Sequence, residues 1–173
     1  MTVYVDVTPL YDLGMVGEME LVGTLDEDLV VPDDVREELT VEPAATNLDR
    51  LFEDGTVGPG ADLDGYRADA RAVLGDDAPA VDVTLIAGIL SAIDRDGEET
   101  VGLVSDDRRL RRVAAGLGAT VAGTFGVVTQ AALGDKYFST DQAKRVIRRT
   151  DNHGVVTTGP LREQAIGDVG GSG

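Results

Sequence analysis

Cysteine and tryptophan are absent from this 173-residue chain, histidine occurs once (His153), and lysine occurs only at Lys136 and Lys144. Without cysteine there is no disulfide scaffold, no zinc–thiolate or iron–sulfur centre and no thiolate nucleophile. A Ser–His–Asp scheme would rest on His153 alone, which lies in a turn-like stretch at 150–154. No apolar run approaches the roughly 18 residues of a membrane span, and the N-terminus lacks a charged-then-apolar leader. These absences predict a soluble, cytoplasmic protein with no membrane partner. Its chemistry falls mostly to carboxylates.

Carboxylates are plentiful: 32 acidic against 15 basic residues give a net charge of −17. At 42% apolar the composition is that of an ordinary globular protein, long enough to bury a sizeable core. Acid excess, scarce lysine and abundant Val, Ala, Thr and Gly look like adaptation to molar salt. There the Debye length shrinks to about 3 Å, so an acidic surface serves solubility and says little about partners. The charge is also lopsided. Residues 1–100 hold 5 basic and 25 acidic side chains, a net of −20, whereas 101–173 hold 10 and 7, a net of +3. The positive residues gather as Arg108, Arg109, Arg111 and Arg112, and again as Lys144, Arg145, Arg148 and Arg149. Such runs are either solvated helix faces or a binding surface for an anion, a phosphate backbone first of all.

Strands are expected at 2–6, 28–31, 100–104 and 119–122, with helices between them. Thr8 is the expected cap of the first helix, with Pro9 opening it. Helices follow at 33–40, 62–74, 80–93, 107–116, 124–133 and 139–149. Ser105 and Asp106 are the expected caps at 107, Thr124 at the next helix, and Ser139 or Thr140 at the one after. The Pro- and Gly-rich stretch 41–61 reads as a loose connection around a short helix near 46–53. A last helix is expected over 160–166, then a frayed tail. Alternation of short apolar strands with helices predicts an α/β fold: a central parallel sheet of four or five strands with helices on both faces, a three-layer sandwich. Residues 1–135 form the expected domain and 136–173 a C-terminal helical extension.

Functional crevices in such sheets lie beyond the carboxyl ends of the strands. Asp6 ends the first strand, and Asp106 and Asp107 follow the third. Between Val5 and Val7 the Asp6 carboxylate is costly unless it is paired, bound to a cation or spent capping the next helix. Asp82 opens an otherwise apolar helix, as a first-turn acid or an inward-facing ligand. Of Asp106 and Asp107, one is the expected N-cap and the other faces the crevice. Glu37 and Glu38 point about 100° apart, so only one faces the sheet edge.

Five segments, in order, resemble PIN-domain nucleases. Val3–Leu10 (VYVDVTPL) is similar to the family's opening strand, an Asp followed two residues later by Ser or Thr. Val31–Leu39 (VPDDVREEL) resembles its V-P-x-x-V-x-x-E-L helix, and Asp82–Ala87 (DVTLIA) its D-x-x-I-A helix. Leu103–Gly118 resembles the closing T/S-x-D strand and helix, and Gly123–Val128 (GTFGVV) a G-T-x-G-V-L segment of a PIN-like subgroup. The resemblance covers about residues 3–134. Departures are Val81–Asp82, which is more like toxin members than that subgroup's G-E-x-x-A-I, the 40–61 loop, and the stretch after 135. It implies an endoribonuclease that hydrolyses RNA phosphodiesters using Mg²⁺ or Mn²⁺. The implied acidic pocket is Asp6, Glu38, Asp82 and Asp107, with Thr8 and Ser105 as supporting hydroxyls and Asp106 as a neighbour. Asp6, Asp82 and Asp107 would ligate metal, Glu38 would orient water or hold a second ion, and Arg108, Arg109, Arg111 and Arg112 would meet RNA. A small antitoxin-like protein and a homodimer are further expected partners, and the role is toxin-like or RNA-processing. The competing expectation is a catalytically weak PIN-like RNA-binding or interaction module. A receiver-like domain fits worse, since no acid neighbours Asp6 and Lys136 lies outside any expected strand. A dinucleotide or P-loop fold lacks its glycine fingerprint.

Overall fold

The structure, a computed structural model, describes residues 1–96, 101–134 and 139–152. The expected helix at 160–166, the tail after it, His153 and Lys136 lie outside the described residues.

Five parallel strands form one sheet: β1 (Thr2–Val5), β2 (Asp28–Val30), β3 (Val57–Gly58), β4 (Val101–Val104) and β5 (Thr120–Ala122). Their spatial order is β3-β2-β1-β4-β5. β1 and β4 lie at the centre, where both faces are covered, which is why VYV and VGLV are unbroken apolar runs rather than alternating ones. In register, Tyr4 stands opposite Val30 on one side and Leu103 on the other.

Eight helices are described: α1 (Val7–Met15), α2 (Asp33–Glu38), α3 (Ala44–Glu53), α4 (Arg67–Leu74), α5 (Ala80–Asp96), α6 (Arg108–Gly116), α7 (Thr124–Gly134) and α8 (Thr140–Asn152). Right-handed crossovers send helices to opposite faces when the chain moves in opposite directions along the sheet. Accordingly α1 packs with α3, α7 and α8, while α5 packs on β1 and β4 with α4 and α6 beside it. Leu10, Leu13 and Leu48 are fully buried in the first helical layer, and Leu85, Ile86 and Ile89 in the second. Each such side chain stabilises the fold by roughly 1.5–3 kcal/mol relative to exposure. On the α5 layer the Tyr4 ring lies so close to Gly88 that a Cβ there would overlap it. Through Ala143, Val146 and Ile147, α8 joins the same core. Its first turn is a reciprocal capping box, with Gln142 N donating to Ser139 Oγ at 3.2 Å and Ser139 N to Gln142 Oε1 at 2.7 Å.

Several local expectations are corrected. Asp6, not Thr8, caps α1, so Pro9 sits in its third position instead of its first. The backbone turns from strand to helix with no linker, and the last strand residue's neighbour takes the extended cap conformation. Asp107, not Ser105 or Asp106, caps α6, because those two residues separate β4 from the cap and Asp107 is the one that stays extended at the helix start. The 62–74 helix is a 3₁₀ turn at Asp64–Tyr66 followed by α4. Within 41–61 the helix is longer than expected, and Val57–Gly58 adds the fifth strand by pairing with β2. Among the described residues no helix is long and apolar enough to cross a membrane.

Candidate functional site

Strands β2 and β3 lie on one side of β1, and β4 and β5 on the other. The direction of winding therefore reverses between β1 and β4, and their carboxyl ends flank the crevice where such sheets place ligands. The ladder continues one residue past each strand. Asp6 N donates to Val104 O at 2.9 Å, and Ser105 N donates to Ala122 O at 2.9 Å. Backbone pairing thus delivers Asp6 and Ser105 side by side at the switch point.

There the two side chains meet. Ser105 is fully buried, and its hydroxyl donates to Asp6 Oδ2 at 2.6 Å while accepting from Asp107 N at 3.1 Å. Asp6 Oδ1 accepts from Val7 N at 2.7 Å. One serine hydroxyl thereby sets both Asp6 and the backbone of Asp107. Asp107 Oδ1 caps α6 through Leu110 N at 2.8 Å, leaving Oδ2 outside the cap. Thr8 is exposed on α1 and makes no hydrogen bond to these acids among the described residues.

Asp82 comes from the first turn of α5. Burial raises its pKa, the Asp6 and Asp107 carboxylates raise it further, Arg109 opposes them, and Glu38 adds a smaller upward push. Burial likewise raises that of Asp6, against the Ser105 and Val7 hydrogen bonds, with Asp107 and Asp106 adding to the rise. Asp6, Glu38, Asp82 and Asp107 therefore share one electrostatic neighbourhood although they come from four elements. Of the adjacent pair on α2, Glu38 is the one that reaches this field; Glu37 lines a separate groove with Arg36 and Asp49.

The donor set, all hard carboxylate oxygens, has the chemistry of a Mg²⁺ or Mn²⁺ site. As placed, however, no three His, Cys, Asp or Glu among the described residues stand close enough to hold one ion. The set fits a cation in chemistry and charge, but its spacing does not bring three of these groups to one ion.

Asp106 points elsewhere. It accepts from Thr124 N at 2.9 Å and from Thr124 Oγ1 at 2.5 Å, tying β4 to the start of α7. Thr124 therefore donates to a cap from another element instead of capping its own helix. Gly123 lets this happen, because a Cβ there would fall 2.6 Å from Asp106 Oδ1 and 2.9 Å from Arg111 Nη1. Arg111 donates to Ser105 O at 2.7 Å and lies 3.8 Å from Asp106. Arg109 donates to Leu74 O at the end of α4, where a cation also suits the helix dipole. Arg108 and Arg112 are exposed. In the second basic run Arg149 bonds Val16 O and pairs with Glu18 at 3.3 Å.

Two features escaped the sequence reading. Asp12 on α1 is 3% exposed, its Oδ2 has no hydrogen-bond partner among the described residues, and its pKa is raised to about 7, by burial first and the Asp106 carboxylate second. The penalty on an Asp among apolar neighbours applies to Asp12, between Leu10 and Leu13, as much as to Asp6. The other is an Asp34–Thr84–Arg67 network beside the acids. Comparison of the chain with protein-family models, curated proteins and solved structures finds no match.

Proposed function

We propose that this chain is a metal-dependent endoribonuclease of PIN type, acting at the crevice between the ends of β1 and β4. The observation that carries this reading is the common field of Asp6, Glu38, Asp82 and Asp107 at a topological switch point. Like charges so placed repel, by roughly 1 kcal/mol per pair at 4 Å in water and several-fold more near protein. A divalent cation relieves that repulsion. Bound there, Mg²⁺ or Mn²⁺ would supply an acidified water and positive charge against the phosphoryl oxygens.

Asp6, Asp82 and Asp107 are the residues to hold it, directly or through water, and Glu38 the one to orient water or hold a second ion. Ser105 fixes the Asp6 carboxylate and the Asp107 backbone. We assign phosphate contact first to Arg108 and Arg112, which are exposed; Arg109, whose charge acts on Asp82, and Arg111 act first as braces. Molar salt weakens backbone attraction steeply, so close guanidinium contacts carry more of the binding than long-range steering. A cytoplasmic toxin-like role with an antitoxin-like partner, an RNA-processing role, and a homodimer are all compatible with this chemistry. The spacing of the acids favours a second reading, a catalytically weak PIN-like RNA-binding or interaction module.

Incubation of labelled RNA with the protein in molar KCl, with Mg²⁺ or Mn²⁺, decides between them. The nuclease cleaves only with metal and loses cleavage on Asp6→Asn. Retention of RNA without cleavage under any of these metals supports the module and overturns the enzyme.

A further inference from the structure

Beyond the ends of β2 and β3, on the flank of the acids, lies a pocket of about 210 Å³. It is smaller than the roughly 300–1,000 Å³ of sites for drug-sized ligands, a size suited to one flat ring system. Pro32, Pro59 and Leu63 supply apolar wall, and Asp34, Arg67 and Thr84 supply the polar groups. Thr84 is 2% exposed, and its hydroxyl donates to Asp34 Oδ2. Arg67 Nη1 bonds Thr84 Oγ1 at 2.7 Å and Asp34 Oδ2 at 3.4 Å, and its Nε pairs with Asp64 at 3.4 Å. These bonds hold the guanidinium and carboxylate rigidly side by side. Arg67 Nη2 and Asp34 Oδ1 remain uncommitted to the described residues.

The pocket's charge narrows its occupant. Asp33, Asp34 and Asp62 line it against the single cation Arg67, which disfavours a phosphate. Asp62 Oδ1 is used by Asp64 N at 3.0 Å, leaving its second oxygen open. Among the described residues, the Asp34 and Asp62 oxygens and the Arg67 N–H left over in this lining can accept, accept and donate, the capacity that a ligand edge of two donors and one acceptor requires. Guanine alone among the four RNA bases carries that combination, on the N2 amino group, N1–H and O6. Unstacked bases in single-stranded RNA are read on this edge.

The pocket also lies where such a base would be. Asp34 is one helical turn before Glu38 on α2, roughly 5–6 Å between Cβ atoms and on the same face. Thr84, two residues after Asp82, leaves α5 on a different side from that acid, so it is α2, through Asp34 and Glu38, that links the pocket to the acids. We propose that this pocket selects a guanine base next to the phosphate held at the acids. The inference rests on the nuclease reading for its meaning, but not for its test.

Binding of guanosine monophosphate, and of the adenosine, cytidine and uridine monophosphates, is measured by calorimetry in molar KCl with chelator present. Guanosine monophosphate is expected to bind about tenfold more tightly or better, as one well-placed bidentate contact allows. Asp34→Asn and Arg67→Gln, each checked for folding by circular dichroism, should bring the four nucleotides within about twofold of one another. Should Asp34→Asn fail to fold, Arg67→Gln decides. Equal binding of all four by the unmodified protein, or a preference surviving both substitutions, overturns the proposal. A protein that cleaves no RNA yet keeps the guanine preference removes the nuclease and leaves the pocket. Cleavage without the preference does the reverse.

Discussion

Replacing Asp12 by Asn should make the protein more stable at neutral and alkaline pH, and the gain should vanish in acid. The Asp12 carboxyl is 3% exposed, one oxygen has no partner among the described residues, and its folded pKa is about 7 against an ordinary 3.8. A carboxyl whose pKa is raised on folding binds its proton more tightly in the folded state than in the unfolded chain. Stability is then greatest below the unfolded pKa and falls as pH rises towards the folded one. Every tenfold gain in proton affinity on folding corresponds to about 1.36 kcal/mol, so ionised Asp12 costs up to about 4 kcal/mol above pH ~7. Asn avoids that charge, but its amide is also buried without guaranteed partners, a cost of roughly 1–3 kcal/mol. The net gain expected at about pH 8 is therefore on the order of 1–3 kcal/mol. Chemical denaturation in molar KCl across the pH range measures it, as a rightward shift of the midpoint that shrinks steadily towards pH ~4. Carbon-13 NMR of the Asp12 carboxyl offers a direct reading of its titration. A difference independent of pH, or a carboxyl that titrates with the exposed acids, would refute the account.

The same physics sets expectations elsewhere. Ser105→Ala removes the donor to Asp6 and the acceptor for Asp107 N, and should destabilise by about 1–3 kcal/mol in denaturant titration. Gly88→Ala forces a methyl against the Tyr4 ring, and a loss of about 1–3 kcal/mol is expected from the same measurement, with β1 or α5 displaced. Asp82→Asn removes one of the mutually repelling acids. Its melting temperature without metal should rise, and the increase that the proposed metal site predicts for the unmodified protein with Mg²⁺ or Mn²⁺ should shrink, both read by calorimetry.

What was legible in the chain is the part governed by local pattern. β1 and β4 are continuous apolar runs because both faces are covered, and an acid directly after β1 and two residues after β4 marks the carboxyl edge. The four-strand alternation with helices was enough to specify layers and a crevice. β3 was not legible, because two residues, one of them a glycine followed by proline, become a strand only when β2 offers them an edge. The caps were misassigned for a related reason. Thr8 and Asp106 have good capping chemistry, but a cap is chosen by the residue whose backbone stays extended at the helix start, and that is Asp6 and Asp107. Asp12 is a tertiary matter: α1 is enclosed by α3, α7 and α8, and only that packing strands its carboxyl.

The basic run after β4 shows why a charge cluster in sequence is not a surface in space. Its four arginines fall on a helix whose start is fixed by Asp107, so successive side chains leave at about 100° intervals. One of them, Arg111, is drawn back under the strand end to Ser105 O, and another, Arg109, crosses to the last carbonyl of α4. Both are held there because carbonyl oxygens meet their N–H groups. The adjacent acids divide in the same way: Asp106 is spent on Thr124 and Arg111, and Asp107 keeps one oxygen outside its cap. In each pair the outward member is defined by what binds the inward one. Among the described residues, Arg108, Arg112 and one Asp107 oxygen are therefore the exposed charges outside these bonds, while Arg109, Arg111 and Asp106 are tied into the frame.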